Sequence, residues 1–267
     1  MRVTIKHAAL LALILGCACV PRHGAAYRLA PLWNEACLIK LAQISSRDSL
    51  TVNIDNSVLD AEVGSVYEKI RKNMAWQPPN PSVQIVQEPI VLLWPDGLLQ
   101  IGEPILSILQ DEAMLAALIA HLMSHIVYGN LSAGLEDKYP SDVFNVVEVN
   151  TEKDNQQRSR ALAEALHKGY PPSWEEEADQ GAVVAMIGAH YDPAAMSDAW
   201  AILNHSNNKA IKGFAEQHSL NFEKAKTLWV RLQDRVVEPI TGWVRNTEIW
   251  QNALLGIKLE LTPIEPK

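Results

Sequence analysis

Residues 111–128 restrict the fold of this chain more than any other segment, because they are apolar on almost every side of a predicted helix. Such a helix is stable in water only when other elements surround it, so the segment predicts a buried central helix. His121 and His125 lie four residues apart within it and therefore share one helix face. A buried imidazole without a polar partner costs roughly a few kcal/mol. A metal ion bound by both rings would remove that cost; the alternative is two ordinary core histidines.

A second predicted helix carries acidic residues at the same spacing. It follows Ser173, a suitable N-cap, and it places Glu175 and Asp179 on one face. A third protein ligand and a carboxylate that orients a ligating histidine are what a zinc site of this kind requires. The alternative is a solvated acidic first turn, which is favourable at a helix N-terminus without any metal. Glu176 and Glu177 fit that simpler interpretation.

The remaining pattern predicts a mostly helical α+β fold with a small sheet beside the central helix. Residues 82–86 and 90–94 are short, β-branched segments typical of strands, and the turn Pro95-Asp96-Gly97 would form a hairpin with residues 98–101. A helical pattern also covers residues 32–73, with a β-like stretch at 50–54. The other predicted helices are 104–109, 111–128, 156–167, 174–188, 192–204 and 221–237.

The N-terminus is predicted to be a targeting segment. Arg2 and Lys6 precede an apolar run, residues 8–16, that is too short to span a bilayer. The run closes on Ile14-Leu15-Gly16-Cys17, which resembles a bacterial lipobox, so Cys17 is the candidate acylation site. The predicted location is therefore the cell envelope, on a periplasmic membrane face to which the lipid anchors the chain. An ordinary secretory signal, giving a soluble periplasmic or secreted protein, is the alternative.

The predicted organisation is a signal peptide over residues 1–16, a tether over 17–30 and a single domain over 31–267. Cys19 and Cys37 would either pair in an oxidising compartment or remain free thiols. The net charge of −8 argues against a nucleic-acid partner, because phosphate contacts depend on a surplus of basic residues.

Residues 95–121, PDGLLQIGEPILSILQDEAMLAALIAH, resemble the hairpin and helix that approach the active site in HtpX-like and CaaX-protease-like zinc metallopeptidases. In that family H-E-x-x-H follows, then E-x-x-A-D after a long excursion, then a helix that ends in GYDP. Here residues 175–179, EEEAD, match E-x-x-A-D, and residues 189–193, AHYDP, resemble the ending. The resemblance covers residues 80–235 and implies a zincin-like fold.

The same resemblance implies the metal ligands and their supporting residue. His121, His125 and Glu175 would bind Zn²⁺, and Asp179 would hold a ligand histidine in its metal-binding tautomer. His218-Ser219, in QHSL, resembles a later HP motif in soluble members but lacks its proline, and His218 would be a regulatory, a substrate-side or a fourth ligand. No role in the family matches His167, His190 or His205.

Leu122 is the departure from the family pattern, because it stands where the family has the glutamate of H-E-x-x-H. That glutamate is the general base, and losing a positioned base typically lowers the rate by about 10²–10⁴. Glu176, Ser124 and Tyr128 are substitutes by proximity in sequence only. No catalytic residue is therefore assigned.

Three functions are consistent with the sequence. The first is an envelope-anchored, zinc-binding peptidase-like protein with little or no proteolysis that binds envelope polypeptides. The second is an active zinc endopeptidase with a substituted base, and the third is a metal-free structural lipoprotein.

Overall fold

The computed structural model describes residues 38–39, 42–43, 52–54, 56–138, 161–218, 220–233 and 243–260. The predicted signal peptide, the tether and all three cysteines lie outside these ranges. The described chain is mostly helical with a small sheet, which confirms the predicted α+β class. Its named elements are α1 (Ser57–Arg71), β1 (Ser82–Val86), β2 (Val91–Leu93), β3 (Leu98–Gly102), α2 (Glu103–Leu106), α3 (Glu112–Val127), α4 (Asn130–Lys138), α5 (Pro172–Gly188), α6 (Ala195–Asn204), α7 (Lys209–Gln217), α8 (Phe222–Gln233) and α9 (Thr247–Glu260).

The predicted central helix is α3. Every residue from Glu112 to His125 is buried, as an all-round apolar helix requires. Asp111 is its N-cap, and the Asp111 carboxylate accepts a hydrogen bond from the Met114 amide at 2.8 Å. Helices α1, α5 and α6 all pack directly against α3. In the described ranges, no helix is both long enough and apolar enough to cross a membrane.

The sheet has the strand order β1–β3–β2. The predicted hairpin is confirmed: β2 pairs antiparallel with β3, with Val91 opposite Ile101, while β1 pairs parallel with β3. Alternate residues of β2 face opposite sides, because side chains alternate along a strand. Val91 and Leu93 join the main core around α3, whereas Leu92 joins a second apolar cluster.

This second cluster covers the other face of the sheet. Trp94 and Leu92 pack there with Leu38, with Leu131 and Leu135 of α4, and with residues of the helical stretch 161–167. That stretch is the described part of the helix predicted over 156–167. Both α4 and residues 161–167 belong to the excursion between α3 and α5, so part of the excursion lies folded against the sheet.

The predicted start of α5 was wrong, and some helices were not predicted. Ser173 is not an N-cap, because α5 already begins at Pro172, and the N-cap Pro171 makes no side-chain hydrogen bond. Proline at the first helical position is pre-set for a helix and lacks the amide hydrogen that would otherwise be unpaired, so the two prolines start α5 themselves. Helices α4, α7 and α9 were not predicted. Helix α9 is held by its tertiary contacts, since Trp250 is fully buried and donates its indole N–H to the Leu109 carbonyl at 2.8 Å.

Arg245 links α3 and α5 at one end of the fold. Its guanidinium forms ion pairs with Asp111, the N-cap of α3, at 3.2 Å and with Asp192, just after α5, at 2.9 Å. A third ion pair joins it to Asp198 of α6. One cation therefore fixes three helices relative to one another, and the segment that carries it was predicted only as a tail.

Candidate metal centre

Four buried side chains from three parts of the fold converge at one point. His121 and His125 come from α3, Glu175 from the first turn of α5, and His218 from the C-cap of α7. Each is at most 3% exposed, and one ligand atom from each lies within 4.8 Å of the others. This cluster could hold a metal ion. The structure therefore brings together all four residues that the sequence proposed as ligands.

Three of the donor atoms form a nearly equilateral triangle. The Nε2 atom of His121 lies 3.1 Å from Nε2 of His125 and 3.1 Å from Oε2 of Glu175, and the third edge, from His125 Nε2 to Glu175 Oε2, is 3.3 Å. Donors bound about 2.0–2.1 Å from one ion at tetrahedral angles would lie about 3.3 Å apart. The triangle therefore has the size of one face of a tetrahedral zinc site.

The hydrogen bonds of the cluster leave lone pairs directed at this triangle. Nδ1 of His121 lies 3.0 Å from Oδ1 of Asp179, and because a carboxylate only accepts, Nδ1 carries the proton. The Nε2 atom of a neutral His121 is then a free acceptor that faces His125. Within the described ranges, four buried atoms of the cluster lack a hydrogen-bond partner: His125 Nδ1, Glu175 Oε2, and both ring nitrogens of His218. A metal would satisfy Glu175 Oε2 and one nitrogen of His218.

Without a metal, the electrostatics keep His125 and His218 neutral and Glu175 ionised, as metal ligands must be, but they favour the charged form of His121. Burial lowers the pKa of His125 to about 3, and burial also lowers the pKa of His218. Burial disfavours the charged form of His121 as well, but the hydrogen bond to Asp179 and the nearby Glu175 carboxylate outweigh it and raise the pKa of His121 to about 9. For Glu175, burial opposes ionisation, yet nitrogens of the three histidines, 3.1, 3.3 and 3.5 Å from its oxygens, hold the pKa of its carboxyl far below the usual range. Metal binding at neutral pH would therefore displace a proton from His121.

Asp179 and Trp200 together orient His121. Oδ1 of Asp179 accepts the hydrogen bond from His121, and it also accepts one from the Trp200 indole N–H at 3.3 Å. The Trp200 ring lies edge-on to the His121 ring, with centroids 5.4 Å apart. The resemblance implied the role of Asp179, but nothing in the sequence pattern indicated Trp200, which lies 21 residues further along the chain and is brought to the site by α6.

An aromatic ring backs each of the three histidines. Trp200 lies against His121, Tyr170 lies against His125 with ring centroids 4.3 Å apart, and Phe214 lies against His218 at 4.6 Å. Packed rings restrict the rotation of the imidazoles and exclude water from their outer faces. The sequence carried no periodic signal for Tyr170 and Phe214 as site residues, because they belong to separate elements that only the fold brings together.

A close approach of α3 and α5 sets the distance between their ligands. A Cβ atom at Gly181 would lie 2.5 Å from Oγ of Ser124 and 3.0 Å from the Tyr128 ring, so a larger residue there would displace these side chains or separate the helices. Gly181 is six residues beyond Glu175, and Ser124 is adjacent to His125. This contact therefore fixes the separation of the two helices within two turns of the metal ligands.

Helix α5 ends in a Schellman motif at His190. The His190 backbone is left-handed, with φ of 61°, and the amide of Tyr191 bonds the Met186 carbonyl at 2.9 Å. Tyr191 is fully buried, and its hydroxyl donates to Glu112 at 3.0 Å. The ending AHYDP therefore anchors α5 back onto the first turn of α3.

Leu122 lies beside the first ligand and is only 6% exposed. Of the three proposed substitutes for a base, Glu176 is exposed, the Ser124 hydroxyl donates to the Ala120 carbonyl at 2.8 Å, and Tyr128 is 41% exposed at the C-cap of α3. The ligand cluster, as described, includes none of the three.

Among the three remaining histidines of the described ranges and the three consecutive glutamates, only Glu175 is buried. His167, His190 and His205 are exposed, as expected of histidines without a role in the site. Glu176 and Glu177 are also exposed, in agreement with a solvated first turn, but Glu175 is 3% exposed and points into the cluster.

Comparisons with known proteins do not identify a family. No protein-family model matches the chain, and no curated protein is significantly similar to it.

Proposed function

We propose that this protein binds one zinc ion in a closed, four-ligand centre on a zincin-like fold and does not work as a protease. The observation that carries the proposal is the triangle of His121, His125 and Glu175 donor atoms, whose edges of 3.1, 3.1 and 3.3 Å match one face of a tetrahedral site. His218, which has a ring nitrogen within 4.8 Å of the other donor atoms, would be the fourth ligand.

The donor set favours zinc over other common metals. Three imidazoles and one carboxylate are borderline ligands that suit Zn²⁺, whereas Mg²⁺ and Ca²⁺ prefer sets made of oxygen atoms. The absence of any thiolate ligand from the described cluster argues against copper(I) and iron–sulfur centres. Four coordination with no additional donor is typical of structural zinc.

Local geometry supports the HtpX-like resemblance. The two ligand-bearing helices are adjacent, a small sheet lies beside α3, and the supporting carboxylate at Asp179 contacts the first histidine. His190 takes the left-handed conformation at the position where the family ending GYDP has glycine, the residue best suited to it. If this chain and the family share the left-handed turn, the helix can end at this position with either histidine or glycine.

Two features of the centre argue against hydrolysis. Leu122 offers no proton acceptor at the position of the general base, and a positioned base typically contributes about 10²–10⁴ to the rate. A catalytic zinc site keeps one position open for water or substrate, but His218 is 1% exposed and lies in the cluster that would fill this position. Bound zinc would supply a cross-link between α3, α5 and the end of α7.

The cellular part of the proposal follows from the sequence. We infer an envelope-anchored protein, held through Cys17, that binds envelope polypeptides without cleaving them. The targeting segment supports the location, and the resemblance to peptidases that act on polypeptides supports the class of client.

Metal analysis and a protease assay on the same sample test the proposal. Mature protein prepared without chelators should contain about one zinc per chain, as a single closed site requires, and it should not cleave casein. Chelator-sensitive cleavage would favour the active-enzyme alternative. A chain that takes up less than about a tenth of an equivalent of zinc at saturating supply would instead be the metal-free structural protein.

A further inference from the structure

The short segment Gly169–Tyr170 contacts three of the four candidate ligands. The Tyr170 ring packs on His125 with centroids 4.3 Å apart, and the Tyr170 amide donates to Oε1 of Glu175 at 2.7 Å. A Cβ atom at Gly169 would lie 1.6 Å from the Gln217 carbonyl oxygen and 2.8 Å from the amide nitrogen of His218. Gly169 therefore lies directly on the backbone that carries the fourth ligand.

We propose that Gly169 and Tyr170 are positioning residues for the metal centre, acting as a latch that holds His218, Glu175 and His125 in their ligand geometry. The inference rests on the proposed zinc site and adds to it the part of the chain that closes it. Neither residue supplies a ligand atom, so each acts only through the ligands that it contacts.

The hydrogen bond to Glu175 decides which carboxylate oxygen faces the metal. Oε1 accepts a hydrogen bond from the Tyr170 amide. The second oxygen, Oε2, lies 3.1 Å from His121 Nε2 and 3.3 Å from His125 Nε2. Oε2 has no hydrogen-bond partner in the described residues. The Tyr170 amide thus leaves Oε2 as the Glu175 oxygen nearest the two α3 histidines, while Oε1 also lies 3.5 Å from Nδ1 of His218.

Space, and not backbone conformation, makes glycine necessary at position 169. Its φ lies outside the left-handed range, yet any side chain would collide with the backbone of Gln217 and His218, which cannot rotate away as a side chain can. A methyl group at this position would therefore push the His218 backbone away from the other ligands. The Tyr170 ring also packs near α4, because a Cβ atom added at Gly134 would lie 3.5 Å from it. Helix α4 therefore supports the Tyr170 ring.

Gly169→Ala tests the latch, with Gly213→Ala as the matched control. Gly213 lies in α7, the helix that ends at His218, and a Cβ there would meet nothing within 4 Å. Loss of a residue that orients a ligand typically lowers metal affinity by about 10–100-fold, so Gly169→Ala should bind zinc that much more weakly. Gly213→Ala should keep the wild-type affinity. Affinity is measured by competition with a chromophoric chelator.

Cobalt(II) substitution distinguishes a displaced ligand from a general loss of stability. The position and intensity of the visible cobalt band depend on the number and identity of the ligands, so the folded fraction of Gly169→Ala should show an altered band, as His218→Ala should. A merely structural defect would lower the unfolding midpoint of the apo-protein and leave the cobalt spectrum of the folded fraction unchanged, and that result would overturn the inference.

Tyr170→Leu provides a second test in case Gly169→Ala does not fold. This substitution removes the tyrosine ring that packs on His125 but keeps the backbone amide that donates to Glu175. We expect zinc affinity to fall about tenfold, the lower end of the effect of losing a residue that contacts a ligand. Two results together would overturn the latch but not the zinc proposal. Tyr170→Leu would keep the wild-type zinc affinity and cobalt spectrum, and Gly169→Ala would either do the same or fail to fold. A wild-type chain that binds no zinc would overturn the zinc proposal and the latch with it.

Discussion

The Nε2 atoms of His121 and His125 face each other at 3.1 Å in a site from which water is excluded. Nδ1 of His121 is committed to Asp179, so without a metal at most one proton lies between the two Nε2 atoms, on a charged His121 or on His125. A shared metal would replace that proton, because both Nε2 lone pairs would bind the ion.

Removing a ligand should lower zinc content and stability together. We expect His121→Ala and Glu175→Ala to lose most of the bound zinc, and zinc should raise their melting temperature less than it raises that of the wild type. Binding to the folded state alone contributes about 2.7 kcal/mol when free zinc is 100 times its Kd. Zinc analysis and thermal unfolding with and without added zinc measure both effects. His205→Ala, at an exposed histidine, is the control, and equal losses in His205→Ala would contradict the assignment.

Proteolysis should require two changes. Leu122→Glu supplies a general base, but His218 would still occupy the fourth position, so we expect this variant alone to remain nearly inactive. Combining Leu122→Glu with His218→Ala should allow chelator-sensitive cleavage of casein, with a contribution from the base that approaches about 10²–10⁴. Wild type, both single variants and the double variant are compared with and without chelator. Chelator-sensitive cleavage by the wild type that Leu122→Glu does not increase would mean that another residue is the base and that the protein is a working enzyme.

Asp179 should raise the zinc affinity of the site without binding the zinc itself. Asp179→Asn removes the charge that holds the Nδ1 proton of His121, and we expect zinc affinity to fall about 10–100-fold. Trp200→Phe removes only the second hydrogen bond to Asp179 and should have a smaller effect. Chelator competition gives the affinities, with Glu177→Gln, exposed on the same helix, as the control. An unchanged affinity in Asp179→Asn would show that the carboxylate does not orient the ligand.

Glycine should be the better residue at position 190. The left-handed backbone of His190 is strained for a residue with a Cβ atom, and its side chain is exposed, so His190→Gly should stabilise the fold by up to about 1 kcal/mol. The urea unfolding midpoint measures the gain. His205 ends α6 with an ordinary φ of −93°, so His205→Gly should not stabilise. A lower midpoint for His190→Gly would mean that the helix ending owes its stability to the histidine side chain.

Cys17 should determine where the mature chain resides. If the cysteine is acylated, Cys17→Ser should release the protein from membranes into the soluble envelope fraction. One acyl chain binds membranes only marginally, so stable anchoring implies more than one. Cell fractionation measures the release, and the intact mass of the wild type provides the check: an unmodified N-terminus at Cys19 or beyond would contradict lipid anchoring.

The sequence by itself determined the elements that carry the candidate site. Apolar residues on every side of 111–128 require a buried helix, and a spacing of four residues places His121 beside His125, because both properties depend only on the local geometry of a helix. The β-branched runs and the Pro-Asp-Gly turn likewise determined the hairpin, whose register follows from its own few residues.

Only the tertiary structure decided which of these residues meet. Glu175, Glu176 and Glu177 are equivalent by composition, but the direction from which α5 crosses α3 buries the first and leaves the other two in solvent. The positions of His218, Trp200 and the Gly169–Tyr170 segment depend on contacts between residues far apart in sequence, and no local periodicity encodes such contacts. The sequence could therefore name the candidate ligands, whereas the closure of the site around them is a property of how the helices pack.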